Sequence, residues 1–95
     1  MTAMVWDEAK RARNLLPEPD GHGLDFADAR DRFEWETAVI LPTRASRTGT
    51  PRLKAIGFLD DALVTLVFSP LGTEAISAIS LRPASRMERK VYDEA

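Results

Sequence analysis

The stretch from Ala62 to Ser69 restricts the fold more than any other part of this chain. Leu63, Val64, Leu66, Val67 and Phe68 put apolar side chains on both faces, the pattern of a strand covered from two sides. Its flanks suit an antiparallel meander. Arg52 to Leu59 precedes it across Asp60-Asp61, a tight hairpin turn without the usual glycine. Thr73 to Leu81 follows, with Ala75, Ile76, Ile79 and Leu81 available for packing. The intervening Ser69-Pro70-Leu71-Gly72 has its proline and glycine where a type I turn wants them. Thr37 to Leu41 supplies an earlier strand, joined through a polar loop from Pro42 to Pro51.

Helices bracket these strands. Asp7 is a natural N-cap for a helix through about Leu16, with Ala9, Ala12 and Leu16 on one stripe. Pro17 and Pro19 stop it, and Gly21 and Gly23 mark a turn-rich connection. Asp25 caps a second helix to about Phe33, in which Phe26, Ala29 and Phe33 share an apolar face and Asp28 suits the dipole. After Pro83, Ser85 and Glu88 stand at the spacing of a capping box and start a last, basic helix. A short strand at Met4 to Trp6 is a further option. The expectation is an α+β domain: two N-terminal helices, a four-stranded antiparallel meander and a C-terminal helix, with the helices on one face.

Length and composition bound the rest. The 95 residues suffice for one domain, 1–95, and 44% apolar with 29% charged residues place it among ordinary globular chains. Without cysteine and with a single histidine, His22, neither a disulfide framework nor a thiolate or imidazole zinc site is available, so no metal and no cofactor is expected. No apolar run reaches membrane-spanning length and no signal peptide is evident, which makes the cytoplasm the default. The net charge of −2 hides a segregation. Arg44, Arg47, Arg52 and Lys54 form one cationic stretch, and Arg82, Arg86, Arg89 and Lys90 another, while in residues 1–36 nine acids outnumber five bases. Such a distribution fits either a localised anion site or solvated charges on a loop and a helix face.

Several segments in register resemble the BrnT-type toxins. Trp6-Asp7-Glu8-Ala9-Lys10, Asn14 and His22-Gly23-Leu24-Asp25-Phe26-Ala27-Asp28-Ala29 look like the N-terminal half of that family. Gly49-Thr50-Pro51-Arg52, Ile56-Gly57, Ile79-Ser80-Leu81-Arg82-Pro83-Ala84, Glu88-Arg89 and Tyr92 look like the C-terminal half. The resemblance implies a RelE-like fold and a ribonuclease toxin that blocks translation by cutting RNA. It also implies a BrnA-like antitoxin as partner, two toxins around an antitoxin dimer, and operator DNA bound only through that complex. The chain departs from the family pattern at three places: a longer link from Leu15 to Gly21, with Gly21 where a basic residue is usual, Leu71 before Gly72, and Ser77 in the fourth strand.

Metal-free RNA cleavage needs a base for the 2′-hydroxyl, cations for the phosphate charge and an acid for the 5′-oxygen. Arginine matches phosphate oxygens with its planar fork. Arg82, at the exit of the fourth strand, is the first candidate and Arg52, at the start of the second, the next. The alternative for Arg82 is a salt bridge to Glu88 or a cap contact. His22 is the one residue of the type whose free side chain exchanges protons near neutrality, and between two glycines such a residue is more often a turn or surface group. Lys10 and Asn14 match family positions and suit helix support, Tyr92 and the two tryptophans suit packing, and Glu88 suits Ser85. A second functional reading is a catalytically degenerate toxin fold that binds its antitoxin without cutting RNA, motivated by Leu71 and Ser77. A stand-alone nucleic-acid binder is disfavoured by the acidic N-terminal half.

Overall fold

A computed structural model of the chain describes residues 3–44 and 49–95. The middle of the expected 42–51 loop, with Arg47 of the first cationic stretch, lies outside the described residues. The elements run β1 (Ala3–Val5), α1 (Glu8–Leu15), α2 (Phe26–Arg32), a 3-10 turn (Trp35–Thr37), β2 (Val39–Thr43), β3 (Arg52–Leu59), β4 (Ala62–Leu71), β5 (Ala75–Pro83) and α3 (Arg86–Glu94). No helix among the described residues is long and apolar enough to cross a membrane.

The sheet corrects the four-stranded antiparallel expectation. It has five strands in the order β1-β5-β4-β3-β2 and is mixed, because β1 joins parallel to β5 with Ala3, Met4 and Val5 opposite Ala75, Ile76 and Ser77. Three residues are too few to show a period, and a partner so remote in the chain leaves no local signal, so β1 could be suspected as a strand but not placed. The expected type I turn at Ser69–Gly72 is also displaced. Ser69, Pro70 and Leu71 continue β4, and the turn follows at Gly72, whose φ of 65° suits a residue without a Cβ. Pro70 is tolerated there because β3 pairs no further than Phe68, which leaves β4 one neighbour, β5.

The helices lie on both faces, not on one. Phe26, Ala29 and Phe33 of the α2 region pack with Ala55, Val64, Leu66, Phe68, Ile76 and Leu81 on one side. Val91 and Tyr92 of α3 pack against Ile56, Leu63 and Phe58 on the other. β4 therefore needs apolar residues at odd and even positions alike, and Leu63, Val64, Leu66 and Phe68 are all buried. A bulge in the β4–β5 pairing decides where polar residues emerge. Phe68 faces Ala78 while Val67 faces Ser80, so Ile79 is the extra residue. Beyond it, Ser80 and Arg82 share the α3 face with Lys54 and Thr65, as the rows Lys54–Val67–Ser80 and Thr65–Arg82 require.

Candidate active site

Two polar arrangements stand out, and the sequence-derived candidates divide between them. The first is centred on Glu88, which is buried although ionisable. Arg82 Nη1 donates to its Oε1 at 2.6 Å and Nη2 to its Oε2 at 2.9 Å. Thr65 Oγ1 and the Ser85 amide donate to Oε1, both at 2.9 Å, and Lys54 Nζ donates to Oε2 at 3.1 Å. Ser85 Oγ in turn accepts the Glu88 amide, completing the capping box. Arg82 holds the Glu88 carboxyl well below the ordinary carboxylate range, helped by the Ser85, Thr65 and Lys54 donors and opposed by burial. Arg82 thus has a protein counter-ion and fastens α3 to β5. Of the two readings available for it in the sequence, the salt bridge to Glu88 is the contact present.

The second arrangement is a cleft of about 260 Å³ lined by Lys10, Arg13 and Asn14 of α1, Asp20, Gly21 and His22 of the following turn, Arg52 of β3, and Ile79 and Ser80 at the bulge. It brings His22 and Arg52 together; Arg82 is not among its lining residues. Lys10, Arg13 and Arg52 have no ion-pair partner among the described residues. The Arg52 Nε is buried without a hydrogen-bond partner. His22 is about one-third exposed, with Nδ1 3.9 Å from Glu18 Oε1.

The local sequence explains the cleft. Asp7 accepts the Ala9 amide and starts α1, which then carries Lys10, Arg13 and Asn14 at i, i+3 and i+4 on one face. Pro17 ends the helix, and the chain folds back over its last turn. The His22 and Leu24 amides both donate to the Asn14 carbonyl, and the Gly23 amide donates to that of Leu16. Gly21 lies so close to the helix end that a Cβ there would sit 2.1 Å from the Arg13 carbonyl oxygen and 2.6 Å from that of Leu16. The longer link from Leu15 to Gly21 therefore leaves no room for a side chain at Gly21.

Sequence reasoning missed Arg13 and gave Lys10 a helix-supporting role. The i, i+3, i+4 spacing with Asn14 was the available signal. Nothing in the sequence announced the bulge that brings Ile79 and Ser80 to the cleft. Of the positions flagged as departures, Gly21 lines it and Leu71 and Ser77 do not.

A larger hollow, about 570 Å³, lies between the end of α2 and the 3-10 turn, lined by Arg30, Asp31, Phe33, Glu34, Trp35, Glu36 and Thr37. Its arginine is tied to Asp31, and three carboxylates border it, so it repels a polyanion. Among the described residues no three His, Asp or Glu side chains are grouped to hold a metal ion.

Comparison with known proteins gives this geometry its context. Residues 6–88 match the family model for the ribonuclease toxin BrnT of type II toxin–antitoxin systems. The crystal structure of the Brucella abortus ribonuclease toxin BrnT superposes with a TM-score of 0.70 at 39% identity, covering 90% of this chain and all of that one. No curated protein matches. A family match over most of the chain, joined to a structural likeness over nearly all of it, makes this protein a member of the BrnT family, a ribonuclease toxin of a type II toxin–antitoxin module with an antitoxin as its partner.

Proposed function

We propose that RNA is held and cut in the cleft between α1, the turn at His22 and the sheet. One observation carries this reading: Lys10, Arg13 and Arg52, none of them neutralised by a described carboxylate, converge with the only histidine of the chain. The buried, unpartnered Nε of Arg52 is a donor in want of an acceptor, and a phosphate oxygen supplies one. The 2′-oxygen attacks phosphorus, the bond to the 5′-oxygen breaks, and the proton lost by the first is balanced by one gained by the second. His22 serves one of these transfers. The three cations stabilise the charge that grows on the phosphate. Arg82 lies on the same sheet face with its fork on Glu88, and the cluster of Arg82, Lys54 and Glu88 leaves that face one net positive charge. A metal ion would meet one carboxylate, Asp20, among three cations, so the step runs without a metal. Cutting RNA inhibits translation, a BrnA-like antitoxin relieves the inhibition, and operator DNA is bound through the antitoxin.

Induced expression of the parent, Arg52→Ala and His22→Ala chains tests the reading. The parent arrests growth and cuts RNA, and the purified protein does so in the presence of a chelator. Each variant folds, and each loses about a hundredfold in cleavage rate. A folded Arg52→Ala protein as active as the parent would overturn the assignment. A parent that binds antitoxin tightly and cuts no RNA would reveal a degenerate toxin fold.

A further inference from the structure

The short β1 leaves part of β5 uncovered. It pairs only with residues 75–77, and further along that edge Leu81, fully buried, would present an N–H and a C=O to nothing. The side chain of Asn14 occupies the place of the missing strand. Its Oδ1 accepts the Leu81 amide at 3.1 Å, and its Nδ2 donates to the Leu81 carbonyl at 2.9 Å and to that of Leu24 at 2.7 Å. A carboxamide can do this because it has the donor and acceptor of a peptide group side by side; aspartate lacks the donor. Asn14 is 5% exposed and Leu81 fully buried, so without the carboxamide the Leu81 N–H and C=O would be buried and unsatisfied. Its own main-chain carbonyl accepts the His22 amide at 3.1 Å.

We propose that Asn14 is a positioning residue for cleavage, acting through His22. One residue joins the helix that carries Lys10 and Arg13, the turn that carries His22, and the strand segment beside Ser80. The turn is tied to α1 by main-chain bonds, and the carboxamide ties both to the β5 edge, so without it this unit loses its hydrogen bonds to the strand. The consequence for chemistry follows from scale, since a displacement of about 1 Å from a productive geometry can cost a hundredfold in rate. The inference rests on the cleft being the cleavage site.

The test compares Asn14→Ala, His22→Ala, the double variant and Leu59→Ala, on an RNA oligonucleotide, at a temperature where all are folded. Leu59 is buried at the β3–β4 hairpin, at the far end of β3 from Arg52, and serves as the control for lost stability. The expected result is a fall in kcat of at least about tenfold for Asn14→Ala with KM nearly unchanged, little loss for Leu59→Ala, and no further loss when Asn14→Ala is added to His22→Ala. Losses that multiply in the double variant, or an Asn14→Ala protein no slower than Leu59→Ala, would overturn the positioning role while leaving the site intact. A fully active His22→Ala protein, in which Asn14 is untouched, would bring down the cleft reading and this inference with it. Should Asn14→Ala fail to fold, amide hydrogen exchange in the parent decides: slow exchange at Leu81 and His22 supports the pairing, and fast exchange at both refutes it.

Discussion

Arg82 and Glu88 form a two-pronged ion pair, 2.6 and 2.9 Å long, that joins the end of β5 to the first turn of α3. Glu88 is buried and also serves Lys54, so removing it strands two cations on the sheet face. Breaking a buried pair from one side costs about 3 kcal/mol or more. Glu88→Ala is therefore expected to lower the unfolding free energy, read from urea titration, by that amount. An Arg82→Ala chain loses stability too, so its activity is interpretable only beside its unfolding curve. Unchanged unfolding in Glu88→Ala would show that α3 is held by Val91 and Tyr92 alone.

Acid should unfold the protein through the same contacts. Both Glu88 beside Arg82 and Asp25 beside Arg11 have folded pKa values below the ordinary carboxylate range, Asp25 near about 2. A depressed folded pKa stabilises fully above the unfolded value, about 4 for these groups, and the benefit disappears as pH falls towards the folded value. Stability is expected to hold steady from neutrality to about pH 5 and to fall steeply below about pH 4. The denaturant midpoint measured across that range checks the sign. Constant stability down to pH 2 would contradict it.

Gly21→Ala should be costly for so small a change. Its new methyl would collide with two main-chain oxygens that belong to the end of α1, not with side chains able to move aside. A penalty of about 2 kcal/mol is the scale of such overpacking. Because the displaced backbone carries His22, cleavage should decline along with the melting temperature. A variant with parental melting would mean that the turn opens without strain.

Lys10 and Arg13 predict a salt signature. Each phosphate contact to single-stranded RNA contributes roughly 0.7 to the slope of log affinity against log salt. Lys10→Ala and Arg13→Ala should each flatten the slope by about that much. Equal slopes in parent and variants would place the RNA elsewhere.

How far the sequence reached depended on how local each signal was. Asp7, Asp25 and the Ser85–Glu88 pair lie within one turn of the helices they start, and each makes the cap contact its position suggests. The boundaries of β3 were equally legible, because Arg52 and Leu59 abut a proline and a turn. β1 escaped placement, the β4–β5 turn was set too early, and α3 was assigned to the wrong face. Those features depend on pairing between distant segments or on how far one strand outruns its neighbour. Residue chemistry pointed to His22 and Arg52, but their meeting with Lys10 and Arg13 depends on a turn folded back over α1 and on a bulge with no sequence mark. Glu88 was legible as a cap and as the alternative partner of Arg82, but not as the group that also holds Lys54 and Thr65.

The parallel pairing of β1 with β5 also sets an order of events during synthesis. Ala3 waits for Ala75, and Asn14 for Leu81, before the edge of β5 away from β4 can close. Contacts between segments so far apart carry the heaviest loop-closure cost and slow the last stage of folding. A nascent chain that has not yet delivered β5 has α1 and its cations but no wall opposite them. The cleft is therefore complete only once Ile79 and Ser80 have been made and have closed against α1, so the wall opposite its cations is the last part of it to form.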